Sequence, residues 1–144
     1  MERKAIDDEY LENPFGRRRR FSLITKDTIH DIKKQAINTP PQSTANDLNL
    51  LTMERIRREL SPEVRTLWPV HDSILCNVNE DVPNEILYDL RDILFNNPSE
   101  LLNTRLPFFI DIAVGYRWGG LKEVNEIEEI KDVLLQLTPN TNAA

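Results

Sequence analysis

Thr66-Leu67-Trp68-Pro69-Val70-His71-Asp72-Ser73-Ile74-Leu75-Cys76-Asn77-Val78 decides how the chain is read. Two β-type runs, Thr66 to Val70 and Ser73 to Val78, flank the pair His71-Asp72, and Ile74, Cys76 and Val78 alternate with Leu75 and Asn77. Side chains two apart share one face of a strand, so the stretch predicts a β hairpin with His71-Asp72 at its bend. A two-residue connection favours Asn-Gly or Gly-X, because positive φ is needed there. Asp tolerates such backbone, whereas His is an unforced choice. A bend that exposes Asp72 at the end of apolar strands would hold a carboxylate rigidly at a surface, as a hard-cation ligand requires. A loop acid without a role gives the same pattern, and spacing alone leaves both readings standing.

Upstream, Ala45, Leu48, Leu51 or Thr52, Ile56 and Leu60 recur at helical spacing and end before Ser61-Pro62, which predicts a long core-facing helix. An earlier periodic stretch starts at Thr28, a plausible N-cap, and carries Ile29, Ile32, Ala36 and Ile37 as far as Thr39-Pro40-Pro41. Two prolines remove donors, so the helix is expected to kink or stop there. Asn38 and Gln42 bracket that point; their amides suit minor-groove acceptors, and equally suit helix capping. Asn13-Pro14-Phe15-Gly16 has turn chemistry and separates a short helix candidate from four consecutive arginines, Arg17 to Arg20. Their forked donors match phosphate oxygens, though a solvated basic hairpin looks the same.

Downstream, Ile86, Leu87, Leu90, Ile93 and Leu94 predict a helix from about Pro83 to Phe95, with a loop at Asn96-Asn97-Pro98. Pro107 to Gly115 alternates Phe108, Ile110, Ile112 and Val114 against Phe109, Asp111 and Ala113, a third strand. Leu121 to Leu137 reads as an amphipathic tail helix through Val124, Ile127, Ile130, Val133 or Leu134, and Leu137. Trp68, Tyr116 and Trp118 could stack on bases, or serve as core or rim packing.

The 144 residues are 40% apolar and 29% charged, which suits one α+β globular domain and excludes wholesale disorder. A formal net charge of −6 argues against a nucleic-acid partner only on average, since phosphates respond to local clusters. The arginines near one end contrast with an acidic tail from Leu121, where Lys122 and Lys131 are outnumbered by Glu123, Glu126, Glu128, Glu129 and Asp132. A lone Cys76 rules out an internal disulfide framework and suggests a reducing compartment. No apolar run approaches a membrane span, and no signal-peptide core follows Met1. His30 and His71 are too few for a metal cluster, and no Gly-rich phosphate loop or nucleophile elbow is present.

Taken in order, Asn13-Pro-Phe-Gly-Arg-Arg-Arg-Arg20, Ala36-Ile-Asn-Thr-Pro-Pro-Gln-Ser-Thr-Ala-Asn-Asp47, Val70-His-Asp-Ser73, and Leu106-Pro-Phe-Phe with Gly115-Tyr-Arg-Trp118 resemble the C-terminal end of family A, DNA polymerase I-like, DNA polymerases. The resemblance covers about residues 10 to 120. It implies a palm subdomain, with a small antiparallel sheet carrying the His-Asp hairpin and long helices behind it. Residues 1–27 would be an arginine-bearing loop or hairpin at the junction of fingers and palm, 28–120 the palm, and 121–144 a tail helix. Asp72 would be the metal-binding and catalytic carboxylate, sharing two Mg2+ ions with a second acid, and His71 would lie against the primer terminus. Arg17, Arg18 and Arg19 would hold DNA phosphates, while Asn38 and Gln42 would meet N3 and O2 acceptors present on every correct base pair. Primer-template DNA and a dNTP are the implied partners, in the cytoplasm of a bacterial or phage-infected cell.

The sequence departs from the family pattern in places. Ser73 stands where the family has Glu, Ser43 where it has Gly, and Asn46 where it has Ala. Neither the Asp-Tyr-Ser-x-Ile-Glu type motif that carries the first metal-binding Asp nor the fingers helix that grips the nucleotide is present. The resemblance therefore implies either a split or phage-type polymerase or a truncated one, this chain being its C-terminal subunit or fragment and an N-terminal polymerase chain its partner. The tail helix would dock on that partner or pack on its own palm. A non-catalytic DNA-binding or regulatory fragment of the same fold is the alternative, and an unrelated α+β interaction domain a more distant one.

Overall fold

In a computed structural model, residues 1–22 and 24–137 are described, and the chain divides into two compact units. The first comprises Met1–Glu54 with Leu67–Leu75, and the second Arg55–Thr66 with the residues from Cys76 on.

The first unit begins with α1 (Glu2–Asp7), β1 (Tyr10–Glu12) and β2 (Arg18–Arg20). β1 and β2 are antiparallel, with Leu11 opposite Arg19 and Glu12 opposite Arg18, so a carboxylate faces a guanidinium across the ladder. Gly16 takes φ 81°, a left-handed conformation that costs glycine no Cβ clash, and its N–H donates to the Asn13 carbonyl at 3.0 Å. Ala5, Leu11 and Phe21 pack with Ile32 and Ala36, one face of α2 (Ile29–Leu60). Each large side chain in that cluster contributes roughly 1.5–3 kcal/mol by leaving water.

α2 does not stop where the prolines stand, for it is helical on both sides of Pro40 and Pro41 and through them. An interior proline costs about 3 kcal/mol or more. Burial of Ile32 and Ala36 before the prolines and of Leu48, Thr52, Ile56 and Leu60 after them offsets that cost. Thr52, not Leu51, is the buried alternative, and Ala45 is exposed. The hydroxyls of Ser43 and Thr44 both hydrogen-bond to the Pro40 carbonyl, at 3.2 and 2.7 Å.

β3 (Val64–Val70) and β4 (Ser73–Val78) form a two-stranded sheet joined through a two-residue turn, His71-Asp72. The single small sheet expected from the sequence is instead three separate two-stranded sheets among the described residues.

In the second unit, α3 (Asn84–Leu101) continues through Asn96-Asn97-Pro98, where a loop was expected. The reason is tertiary. Arg55 Nη1 donates to Asn97 Oδ1 at 3.1 Å and to Glu100 Oε2 at 2.6 Å, tying the turn around Pro98 to the end of α2. The expected third strand shrinks to β5 (Ile112–Val114). The expected tail helix is likewise shortened: β6 (Lys122–Val124) pairs antiparallel with β5, and only Glu129–Gln136 is helical, as α4. Val124 and Ile127 are three apart and fit a helix, but both are buried with Val124 paired to Ile112. Residues 138–144 of the expected tail element lie outside the described residues. Between β5 and β6, a Cβ on Gly115 would stand 2.8 Å from the Gly120 carbonyl oxygen, so this crossing needs glycine. The architecture is α+β.

Candidate functional site

The candidate residues fall in the first unit and converge on α2. Asn13 is buried and organises the arginine loop with both ends of its amide. Its Oδ1 accepts from the main-chain N–H groups of Phe15 and Arg17, each at 3.0 Å, and its Nδ2 donates to Asp47 Oδ2 at 2.6 Å. Arg17 reaches the same carboxylate with Nε at 2.9 and 3.0 Å and with Nη2 at 2.5 Å. Asp47 is thus a buried acid held by a forked cation and an amide. The hydrogen bonds from Arg17 hold its carboxyl below the usual range; burial opposes them, and Asn13 and the charge of Arg17 add to them. Arg17 is correspondingly pushed further into its charged form by its hydrogen bond to Asp47 and that acid's charge.

The neighbouring arginines also have partners. Arg18 pairs with Glu12 and lies over the Tyr10 ring at 5.1 Å. Arg19 donates to Gln35 Oε1 at 2.7 Å and lies over Phe21 at 5.8 Å. All three remain exposed, the Arg17 side chain by 53%. The run is therefore a set of guanidinium groups fixed on one side and wet on the other. Asn38 and Gln42 are both exposed and one helical turn apart on α2, which puts their amides on one face despite the prolines between them.

His71 and Asp72 are exposed. His71 has φ 55°, an uncommon backbone for a residue with a Cβ. Asn49 of α2 donates from Nδ2 to the His71 carbonyl at 3.2 Å, and the Ser73 hydroxyl donates to the Val70 carbonyl at 2.8 Å. One short stretch of α2 thus engages the arginine loop through Asp47 and the His-Asp turn through Asn49. Sequence reasoning assigned no role to Asn13, Asp47 or Asn49. Asn13 and Asp47 do stand at the first and last positions of two recognised motifs, a signal of a kind; Asn49 gave none.

The chain alone does not fit a divalent ion. Asp72 is a single exposed carboxylate, and among the described residues no group of three His, Cys, Asp or Glu side chains that could hold a metal ion occurs. The aromatics considered for stacking are exposed, Trp68 by 60%, Trp118 by 57% and Tyr116 by 42%, so none of them is core. Trp68 lies on β3 in the same unit as the turn, whereas Tyr116 and Trp118 lie in the second unit, where the Tyr116 hydroxyl donates to Glu80 at 3.5 Å. No described helix is long and apolar enough to cross a membrane.

A family model described as DNA polymerase family A matches residues 1–120. The chain is 29% identical over 117 residues to DNA polymerase I of Chloroflexus aurantiacus, covering 78% of this chain and 12% of that protein. It is 27% identical over 118 residues to the thermostable DNA polymerase I of Thermus filiformis, covering 79% and 14%. It is also 27% identical over 116 residues to the DNA polymerase of Bacillus phage SP01, covering 76% and 12%. The chain thus spans only 12–14% of the length of these three relatives.

Proposed function

The chain belongs to DNA polymerase family A, and from that premise we propose that it supplies a palm portion of a DNA-directed DNA polymerase, bearing one metal-binding carboxylate and the contacts to a primer-template end. The observation that carries this reading is the convergence on α2 of the arginine loop, through Asp47, and of the His71-Asp72 turn, through Asn49. Three sequence elements that are far apart in the chain are thereby held in one unit.

In this reading Asp72 is the carboxylate offered to Mg2+, and His71 lies against the primer terminus. Asn38 and Gln42 donate to minor-groove N3 and O2 atoms, a contact that senses pair geometry without reading sequence. Arg18 and Arg19 exchange Glu12 and Gln35 for phosphate oxygens, and Arg17 meets phosphate with the part of its guanidinium that faces water. Asp72, together with a second acid, would hold Mg2+, which would supply activation of the attacking hydroxyl and charge neutralisation for the departing pyrophosphate of a dNTP. The second acid and the helix that grips the nucleotide come from outside these 144 residues, on an N-terminal polymerase chain in a split or phage-type enzyme of the bacterial or phage-infected cytoplasm.

The test mixes this chain with a complementary N-terminal family A chain and follows primer extension. Asp72→Ala abolishes extension while co-migration of the two chains in gel filtration persists. Extension that survives Asp72→Ala rejects the assignment. One observation favours the non-catalytic alternative: at the position where the family has Glu, the Ser73 hydroxyl is turned onto the Val70 carbonyl and offers no charge to an ion. That reading gives primer-template binding that weakens steeply with salt, by about 0.9 log units per log unit of salt for each phosphate contacted, and no extension with any complement.

A further inference from the structure

His71 holds a left-handed backbone that a residue with a side chain adopts only when its surroundings determine it. Two hydrogen bonds end on the bend. The Ser73 hydroxyl reaches the Val70 carbonyl from within the β3–β4 connection and moves with it. The amide of Asn49 reaches the His71 carbonyl from α2, twenty-two residues away in sequence, and anchors the bend to a helix. Two residues earlier on that helix, Asp47 anchors Arg17 and Asn13. The strand alternation of β4 gives no such fixing, because an isolated two-stranded hairpin is marginally stable by itself.

We infer that Asn49 is a positioning residue: its side-chain donor keeps His71 left-handed and thereby sets where the Asp72 carboxylate stands relative to the arginine loop. The consequence for catalysis rests on the polymerase reading, whereas the geometric claim does not. Asn49 is only half-buried and mid-helix, so alanine, the best helix former, removes the donor and keeps α2. Asn49→Asp keeps the shape and places an acceptor against the carbonyl. Glycine at position 71 accepts positive φ without help, so His71→Gly should restore the bend in an Asn49→Ala background.

The experiment uses the full chain and two readouts. The first is NMR of residues 71–73: in Asn49→Ala and Asn49→Asp the His71 Cα shift leaves its left-handed position and amide exchange at Asp72 and Ser73 accelerates at least tenfold. His71→Gly in the Asn49→Ala chain returns that exchange to within about twofold of wild type. Unchanged shifts and exchange in both single variants, or no rescue by glycine, overturn the inference. The second is primer extension with the complementary chain: Asn49→Ala raises the Mg2+ concentration for half-maximal rate about tenfold while primer-template affinity stays within twofold. A wild-type mixture that never extends, with the NMR outcome as stated, removes the polymerase reading and leaves the positioning role intact. A normal Mg2+ requirement in an extending Asn49→Ala mixture overturns the link from Asn49 to Asp72.

Discussion

Asn13→Ala is the substitution from which the arginine loop has most to lose. The side chain is 6% exposed and makes three hydrogen bonds, accepting from the N–H groups of Phe15 and Arg17 and donating to Asp47. A neutral hydrogen bond is worth about 0.5–1.5 kcal/mol net, and one to a charged group about 1.5–3 kcal/mol. Three fully desolvated bonds would total about 2.5–6 kcal/mol on those values. Gly16 and Arg17 are exposed, however, so water reaches the loop and serves the released N–H groups. The bond to buried Asp47 then dominates, and the expected loss is about 2–3 kcal/mol. With a urea dependence of about 1–3 kcal/mol per M, the unfolding midpoint falls by roughly 0.7–3 M. Asn13→Asp separates the two jobs, since it keeps the acceptor for both N–H groups and sets a carboxylate against Asp47; it should destabilise at least as much as alanine at neutral pH and recover in part as falling pH lets the two acids share a proton. Because Asn13 and Asp47 share one network, the double variant Asn13→Ala/Asp47→Ala loses less than the two single losses added. A midpoint shift under about 0.3 M for Asn13→Ala, or strict additivity with Asp47→Ala, would refute the view that this amide organises the loop.

Gly115→Ala brings a methyl group to 2.8 Å from the Gly120 carbonyl and costs about 1–3 kcal/mol, while Gly119→Ala, with nothing within 4 Å of the added carbon, costs about 0.5 kcal/mol or less; equal urea midpoints for the two would disprove the close crossing. Burial pushes the Cys76 thiol up to about 11, so at pH 8 only about one thiol in a thousand is ionised. Iodoacetamide labelling should rise about tenfold per pH unit toward that value, and a plateau near pH 8.5 would contradict it. Asp47 titrates below the unfolded carboxyl value of about 3.9, so its contribution is complete above that pH and is lost as pH falls through the lower folded value. The side-chain amide signals of Asn13 should hold from pH 7 to 5 and shift only below about pH 4; a shift near pH 6 would mean that another group governs the loop.

The strands on either side of His71-Asp72 were legible because period-two alternation and a two-residue break are local properties. Proline is local too, but its cost is settled elsewhere. At Pro40 and Pro41 the burial of residues before and after outweighs the lost donors, and at Pro98 the stabilising partner of Asn97 and Glu100 is Arg55, which no window around the proline contains. The start of the tail misled because Val124 and Ile127 satisfy helical spacing while the ladder to Ile112 uses Val124 alone. At the candidate site, the positions of His71 and Asp72 in the turn could be read. The clamps at Asp47 and Asn49 could not, because a polar residue on a helix gives the same sequence signal whether it meets water or a remote loop.

β2 is a strip of three arginines with every position exposed, on the edge of a ladder only three pairs long. Such an edge has unpaired main-chain groups on its outer side and invites a second copy to add a strand. Like charges directly opposed across the new ladder would repel, so the guanidinium groups keep copies apart while remaining open to a polyanion. That protection is ionic and weakens as the Debye length shrinks from about 10 Å at 0.1 M salt to about 3 Å at 1 M. Storage in concentrated salt therefore removes the ionic barrier to self-assembly.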